Sequence, residues 1–288
     1  MTYESDALGR LRTAIDEVDN KLIELLSARA NIVLEVGKYK RDSKTPIYAP
    51  HREREVLDKI LAANKGPLSD KTIEAIYREL MSGSFQLEQP LNIAHLAPNG
   101  SFSHIAAIRH FGSSVECVGV PTIERVFREV ASGHCNYGLV PYENTTSGSI
   151  TETLDAFKEH DVTIYAEALI NIRHCLLCNG PTKDIKHIAS KPQVISQCRK
   201  WITAMFPNVS IVETASSSQA VKLAKEDPHT AAIGSELAAH EHGVEIALEN
   251  VQDSSENITR FLILAKESAQ PSAEDKSTIM IVDLSSAE

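Results

Sequence analysis

Two cations stand on one face of a long amphipathic pattern near the start of the chain. Leu8, Leu11, Ile15, Val18, Leu22, Leu25, Arg29, Ile32, Val36 and Tyr39 recur at alternating spacings of three and four, the signature of a helix packed along one stripe. An unpaired guanidinium is costly to bury, so Arg29 either snorkels, pairs with an acid such as Glu24, or serves a ligand. Lys40 lies 11 residues on, close to three helical turns. The two cations therefore share a face ~16 Å apart, a gap that two long side chains narrow around one small molecule. Arg12 is 17 residues before Arg29, about 25 Å away on a different face, and reaches that molecule only from an antiparallel copy of the helix. Ser84 and Glu88, at i and i+4, share a face further along.

A second group of polar residues clusters at turns of the later chain. Pro98-Asn99-Gly100-Ser101-Phe102-Ser103-His104 is a Gly-Ser turn of the kind that cradles anions, although any strand-to-helix turn looks similar. Pro141-Tyr142-Glu143-Asn144-Thr145-Thr146-Ser147-Gly148-Ser149-Ile150 is unusually polar directly after the apolar run Gly138 to Val140. Loops at strand C-termini are where α/β proteins bind ligands; a capped turn is the alternative. Ser190-Lys191-Pro192-Gln193 with Gln197, and Asn257-Ile258-Thr259-Arg260-Phe261, have the same character. Cys175 and Cys178 form a C-x-x-C, but a zinc site needs a second pair, and Cys117, Cys135 and Cys198 are singles. A buried strand over Ala168 to Leu177 would put Cys175 and Cys178 on opposite faces, so packing thiols in a reducing cytoplasm are expected, with no metal and no cofactor.

The elements that must position these residues change texture near residue 90. Residues 5 to 42 contain no proline and predict one helix of about 57 Å. A second helix begins near Pro50, and a third is capped by Ser69 and carries Ile73, Ile76, Leu80, Ser84 and Leu87. Three such helices do not close on themselves, so a dimer burying the long helix is expected. From Leu91 onward short apolar runs alternate with helical stretches, an α/β pattern. Strands are expected at 92–96, 137–140, 162–166, 172–178, 187–189, 210–212, 231–233 and 260–264; helices at 103–111, 122–132, 151–160, 193–205 and 217–226. After a Ser-, Ala-, Glu- and Pro-rich linker, Ser277 to Leu284 reads as a lone strand with nothing to pair against. The 288 residues carry 29 Lys and Arg against 39 Asp and Glu, a net charge of −10. That charge argues against nucleic acid and anionic membranes as partners. No apolar run reaches the ~18 residues of a membrane span, and MTYESDALGR does not read as a signal peptide.

These motifs carry two resemblances. Leu11-Arg12, Leu25-Leu26-Ser27-Ala28-Arg29, Glu35-Val36-Gly37-Lys38-Tyr39-Lys40, His51-Arg52-Glu53-Arg54-Glu55 and Ile76-Tyr77-Arg78-Glu79-Leu80-Met81-Ser82 resemble the all-helical chorismate mutase family across residues 5 to 88. The resemblance implies an intertwined helical homodimer with two sites, each completed by an arginine of the other subunit. It implies that Arg12 from the second subunit and Arg29 clamp the substrate carboxylates and that Arg52 positions them. Lys40 would donate to the ether oxygen, Glu53 would orient the ring hydroxyl, and Ser84 and Glu88 would complete the pocket. Ala49 departs where many relatives carry an acid, and Glu88 where some use glutamine.

The later motifs resemble prephenate dehydratase over about residues 92 to 266, with the Glu143-Asn144 loop and Thr259-Arg260-Phe261 as the specific pieces. Ala97 departs where glycine is common and Lys191 where histidine is common. The resemblance implies two α/β lobes around a cleft, reminiscent of periplasmic binding proteins. It makes Thr259 the donor to the leaving hydroxyl, Phe261 a wall of the cleft, and Glu143, Asn144, Ser190, Gln197 and Arg260 binding or supporting residues. The expected organisation is 1–90 helical, 91–266 α/β, and 267–288 a linker with a strand resembling the opening of a truncated regulatory ACT domain. Within the α/β part the lobes are expected at about 92–167 with 243–266, and at 168–242. The expected activity runs from chorismate through prephenate to phenylpyruvate, in phenylalanine biosynthesis. A ligand-sensing two-lobed module on a helical dimeriser, or a mutase with an inert α/β half, are the competing readings.

Overall fold

A computed structural model describes residues 2–43, 48–146 and 148–269; the strand expected over 277–284 lies outside them. The chain divides into two units, Met1–Pro90 and Leu91–Glu288.

In the first unit the predicted long helix forms as α1, Thr2–Ser43. It is followed by α2, Pro50–Ala63, and α3, Asp70–Glu88. The Ser69 hydroxyl accepts from Thr72 N at 3.2 Å and caps α3. Ala49 stands at the start of α2 and offers no side-chain acceptor. A helix of 42 residues outruns partners of 14 and 19, so α1 packs only along its later half, where Gly37 is buried and Arg29, Ala30, Val33 and Lys40 are half-buried. A Cβ at Gly37 would sit 2.8 Å from the α carbon of Glu88; only glycine lets α1 and α3 come this close. The rest of the apolar seam faces outward, with Leu11, Ile15, Leu25, Ile32 and Tyr39 58–73% exposed. The small core holds Tyr48, Met81 and Phe85, the two rings meeting edge to face at 5.7 Å.

The second unit has two sheets. One contains β1 (Asn92–Leu96), β2 (Glu116–Val120), β3 (Tyr137–Asn144), β4 (Gly148–Ser149), β5 (Thr163–Asn171) and β11 (Ile258–Ala265). Its order is β2-β1-β3-β11-β5, with β4 against β3. The other contains β6 (Cys175–Leu177), β7 (His187–Ser190), β8 (Ser210–Glu213), β9 (Thr230–Gly234) and β10 (Ile246–Leu248), in the order β10-β6-β9-β7-β8. Parallel pairs alternate with helices: α4 (Phe102–Phe111), α5 (Ile123–Ala131) and α6 (Thr151–Glu159) accompany the first sheet. The second carries α7 (Pro192–Gln197), α8 (Arg199–Met205), α9 (Ser217–Glu226) and α10 (Glu236–His242).

Three expectations need correction. The run Ala168 to Leu177 is not one strand. β5 continues to Asn171 beside β11, and the chain then crosses to the other sheet through Ile172–His174. The return is later than residue 243, because β10 pairs antiparallel with β6. The first lobe is therefore 92–171 with 258–265, and the second 175–248. The helix expected over 193–205 breaks at Cys198, since Asp253 accepts from Lys200 N and Trp201 N at 3.0 and 2.9 Å and caps a fresh start. The alternation of β6 does hold: Cys175 and Leu177 pack into one core cluster, Leu176 and Cys178 into another.

Of the two register shifts in the first sheet, the one between β11 and β3 shapes the site. Arg260 pairs with Glu143, but Phe261 pairs with Pro141, leaving Tyr142 as the extra residue of a β-bulge. Tyr142 and Glu143 both meet Arg260, the ring at 5.7 Å and the carboxylate at 2.9 Å.

Candidate active sites

In the helical unit five of the expected residues, Arg29, Lys40, Glu53, Ser84 and Glu88, converge where α1, α2 and α3 meet. Arg29 donates to Ser84 Oγ at 2.7 Å, and Ser84 in turn donates to Leu80 O at 2.7 Å, one turn back. Lys40 Nζ lies 2.6 Å from Glu88 Oε2, and Arg41 donates to the main-chain oxygen of Glu88. Glu53, half-buried on α2, has its carboxyl pushed up to about 8 by burial, against the opposing pull of Arg78 and Lys40. Glu53 is therefore protonated at neutral pH and can both donate and accept a hydrogen bond. Arg78 is a cation that motif reading did not single out. Its ordinary i,i+4 pairing with Glu74 at 2.8 Å is all that the pattern shows. Arg52 points elsewhere, paired with Glu55 at 2.7 Å on the surface, and Arg12 is exposed on the unpacked half of α1.

In the second unit a cavity of about 250 Å³ opens between the lobes, lined among others by Asn144, His174, Lys191, Gln197, Thr259 and Phe261. Strand register explains which motif residues reach it. Thr259 pairs with Asn144 across β11 and β3, and the Asn144 amide donates to Thr259 Oγ1 at 2.8 Å and to Asn257 Oδ1 at 2.7 Å. With its oxygen already accepting, the Thr259 hydroxyl has its proton to offer. Arg260 and Glu143 turn to the opposite face of the sheet, where Arg260 Nε also holds Glu167 at 2.6 Å. Ser190 is fully buried and does not line the cavity; its hydroxyl donates to Ile233 O at 2.7 Å. Gly100, at φ +78, presses so close to Ala238 that a Cβ would stand 2.9 Å from its α carbon. Ser218 and Ser235 donate to the carbonyls of Asn99 and Gly100 at 3.0 and 2.6 Å, closing the lobes over this loop.

The motifs do not point to His174, because it sits inside the apolar run that reads as a strand. The signal available was an imidazole beside Arg173 within that run. It is 1% exposed, and burial holds its imidazole below the ordinary value.

Cations at one centre, and amide and hydroxyl donors lining the cavity at the other, define a chain with two polar centres suited to small, oxygen-rich molecules. Comparison with known proteins gives both centres a family. The prephenate dehydratase family model matches residues 93–269 and the chorismate mutase type II model residues 11–89. The bifunctional chorismate mutase/prephenate dehydratase of Stutzerimonas stutzeri is 41% identical, over 96% of this chain and 78% of that protein. Its namesake from Pseudomonas aeruginosa is 40% identical, with the same coverage. The crystal structure of prephenate dehydratase in complex with L-Phe from Arthrobacter aurescens superposes with a TM-score of 0.58 at 28% identity, covering 63% of this chain and 62% of that one. The chain belongs to the bifunctional chorismate mutase/prephenate dehydratase family, with a chorismate mutase unit followed by a prephenate dehydratase unit. No helix among the described residues is long and apolar enough to cross a membrane.

Proposed function

We propose that the helical unit rearranges chorismate to prephenate and that the cleft converts prephenate to phenylpyruvate, in the cytoplasm and within a homodimer. The observation that carries the second activity is the Asn144–Thr259 pair. In prephenate the C–CO₂⁻ bond breaks, its electrons enter the ring, and the ring hydroxyl leaves as hydroxide that takes a proton from water. Aromatisation supplies the driving force. A hydroxyl whose acceptor side is already satisfied meets the departing oxygen as a donor and stabilises the charge forming there. Thr259 polarises the leaving group; an unperturbed threonine is a poor acid. Gln197 and Asn144 hold the substrate, and Phe261 walls the cleft. Lys191, the one lysine or arginine among the described lining residues, supplies the attraction for a carboxylate. Glu143, Ser190 and Arg260 support these residues from outside the cavity.

For the rearrangement, the enzyme needs to hold the reactive conformer and stabilise negative charge on the ether oxygen. Arg29 and Arg12 of a second copy bind the carboxylates, and Arg52 positions them only by leaving its surface pairing with Glu55. Lys40, released from Glu88 by the substrate, donates to the ether oxygen. Protonated Glu53 orients the ring hydroxyl, and Ser84 and Glu88 close the pocket. The exposed apolar stripe of α1 supports the dimer, since a seam of this length left in water is a docking face. Given chorismate alone, the protein should consume it and release phenylpyruvate. Accumulation of prephenate would leave the cleft inert, and no consumption would end the mutase reading. Sedimentation should give twice the chain mass.

A further inference from the structure

His174 lies at the crossing between the lobes, outside the set of residues to which the motifs point. Its backbone is held on both sides: its N–H donates to Gln252 Oε1 at 2.9 Å, and its carbonyl accepts from Val251 N at 2.9 Å. The ring packs edge-on against Phe102, centroids 5.4 Å apart. Its Nε2 lies 2.8 Å from Gln197 Oε1, while Nδ1 is buried with no partner among the described residues. A carbonyl oxygen accepts, so Nε2 carries the proton and Nδ1 keeps a lone pair. Burial tolerates an unpaired acceptor better than an unpaired N–H.

This arrangement removes an ambiguity from the cavity. A glutamine amide has a donor end and an acceptor end of nearly equal size, and a free Gln197 could turn either one inward. An inward carbonyl would repel a dianionic substrate. With Oε1 tied to His174, the NH₂ group has no other hydrogen-bond partner among the described residues and remains available to the cavity that Gln197 lines. We propose that His174 is a positioning residue of the dehydratase, locking the Gln197 amide so that its NH₂ group binds a carboxylate of prephenate. The inference rests on the cavity being the dehydratase site.

The test compares H174Q, which places an N–H near the position of Nε2, with H174N, whose shorter side chain does not reach, and with Q197A. Prephenate turnover is measured at steady state. Mutase rate and the fluorescence of Trp201, the one tryptophan of the chain, report on the fold of each unit. The amide binds ground state and transition state alike, so H174N and Q197A should raise KM about 10- to 100-fold with kcat changed less than about threefold. H174Q should stay within about threefold of the parent in both constants. The double variant H174N/Q197A should be no worse than Q197A alone, because both changes remove one interaction. An H174Q enzyme as impaired as H174N would overturn the proposal, showing that the imidazole itself is used. Should H174N fail to fold, H174Q decides by itself: parent-like constants support the positioning role and a raised KM refutes it. Full activity in Q197A would instead remove the reading of the cavity on which the proposal rests, whereas loss in Q197A with a normal H174N would refute the positioning role alone.

Discussion

Glu53→Gln tests the electrostatics of the mutase pocket in two independent ways. Burial raises the Glu53 carboxyl from 4.5 to about 8, a difference of about 5 kcal/mol between its two forms at most. The folded chain therefore keeps a proton that the unfolded chain has lost above pH ~4.5. The resulting contribution to stability is complete below that pH and falls as pH rises through about 8, at up to about 1.4 kcal/mol per pH unit. The glutamine variant carries no such proton, so denaturant melts at pH 5, 7 and 8.5 should show parent and variant diverging with this sign. Activity follows from the same group. An ionised Glu53 would face the carboxylates of chorismate and no longer donate, so mutase kcat/KM in the parent should fall about tenfold below its plateau by pH 9. Glu53→Gln should flatten that decline. Chorismate disappearance from pH 6 to 10 in both proteins is the assay. If the variant declined in parallel with the parent, Glu53 would not be the titrating group, and its placement beside the ring hydroxyl would be wrong.

Other perturbations separate the two centres and test their supports. Arg29→Ala and Lys40→Ala should each lower mutase kcat/KM by at least about 100-fold and leave prephenate turnover intact, with Thr259→Ala doing the converse; steady-state assays of both reactions on each variant decide this. Gly37→Ala forces a Cβ against the Glu88 backbone, 2.8 Å from its α carbon, and should cost about 1–3 kcal/mol in a urea melt of the helical unit while lowering mutase turnover. Lys191→Gln should raise the KM for prephenate about three- to tenfold and flatten its dependence on salt, measured between 20 and 300 mM NaCl, because a rim cation acts through screened attraction.

The legible parts of this chain are those where one local pattern is strong. The three-four spacing of α1, the Ser69 cap and the apolar β1 are each written within a dozen residues. The Asn144 and Thr259 motifs are visible too, yet their relation is not. Only the pairing of β3 with β11, more than a hundred residues apart, shows that neighbours in each motif serve opposite faces and sends Glu143 and Arg260 away from the cavity. Non-local caps are equally hidden: nothing near Cys198 announces that Asp253 will restart a helix there. Short strands such as Ile246–Leu248 have too few residues for a period, which is why the lobe boundary falls elsewhere than the pattern suggests. His174 shows the same limit for function, since its role depends on a glutamine 23 residues away.

The bulge at Tyr142 makes the length of β3 matter more than its composition. Two adjacent side chains there point the same way, and this brings Pro141 and Asn144, three residues apart, to one cavity. Regular alternation would put those two on opposite sides of the sheet. Substitution at position 142 leaves this geometry in place. Loss of one residue there would restore the regular ladder and rotate either the cavity side chains or the core side chains of β3 through the sheet. The segment is thus open to change by replacement and closed to change by deletion.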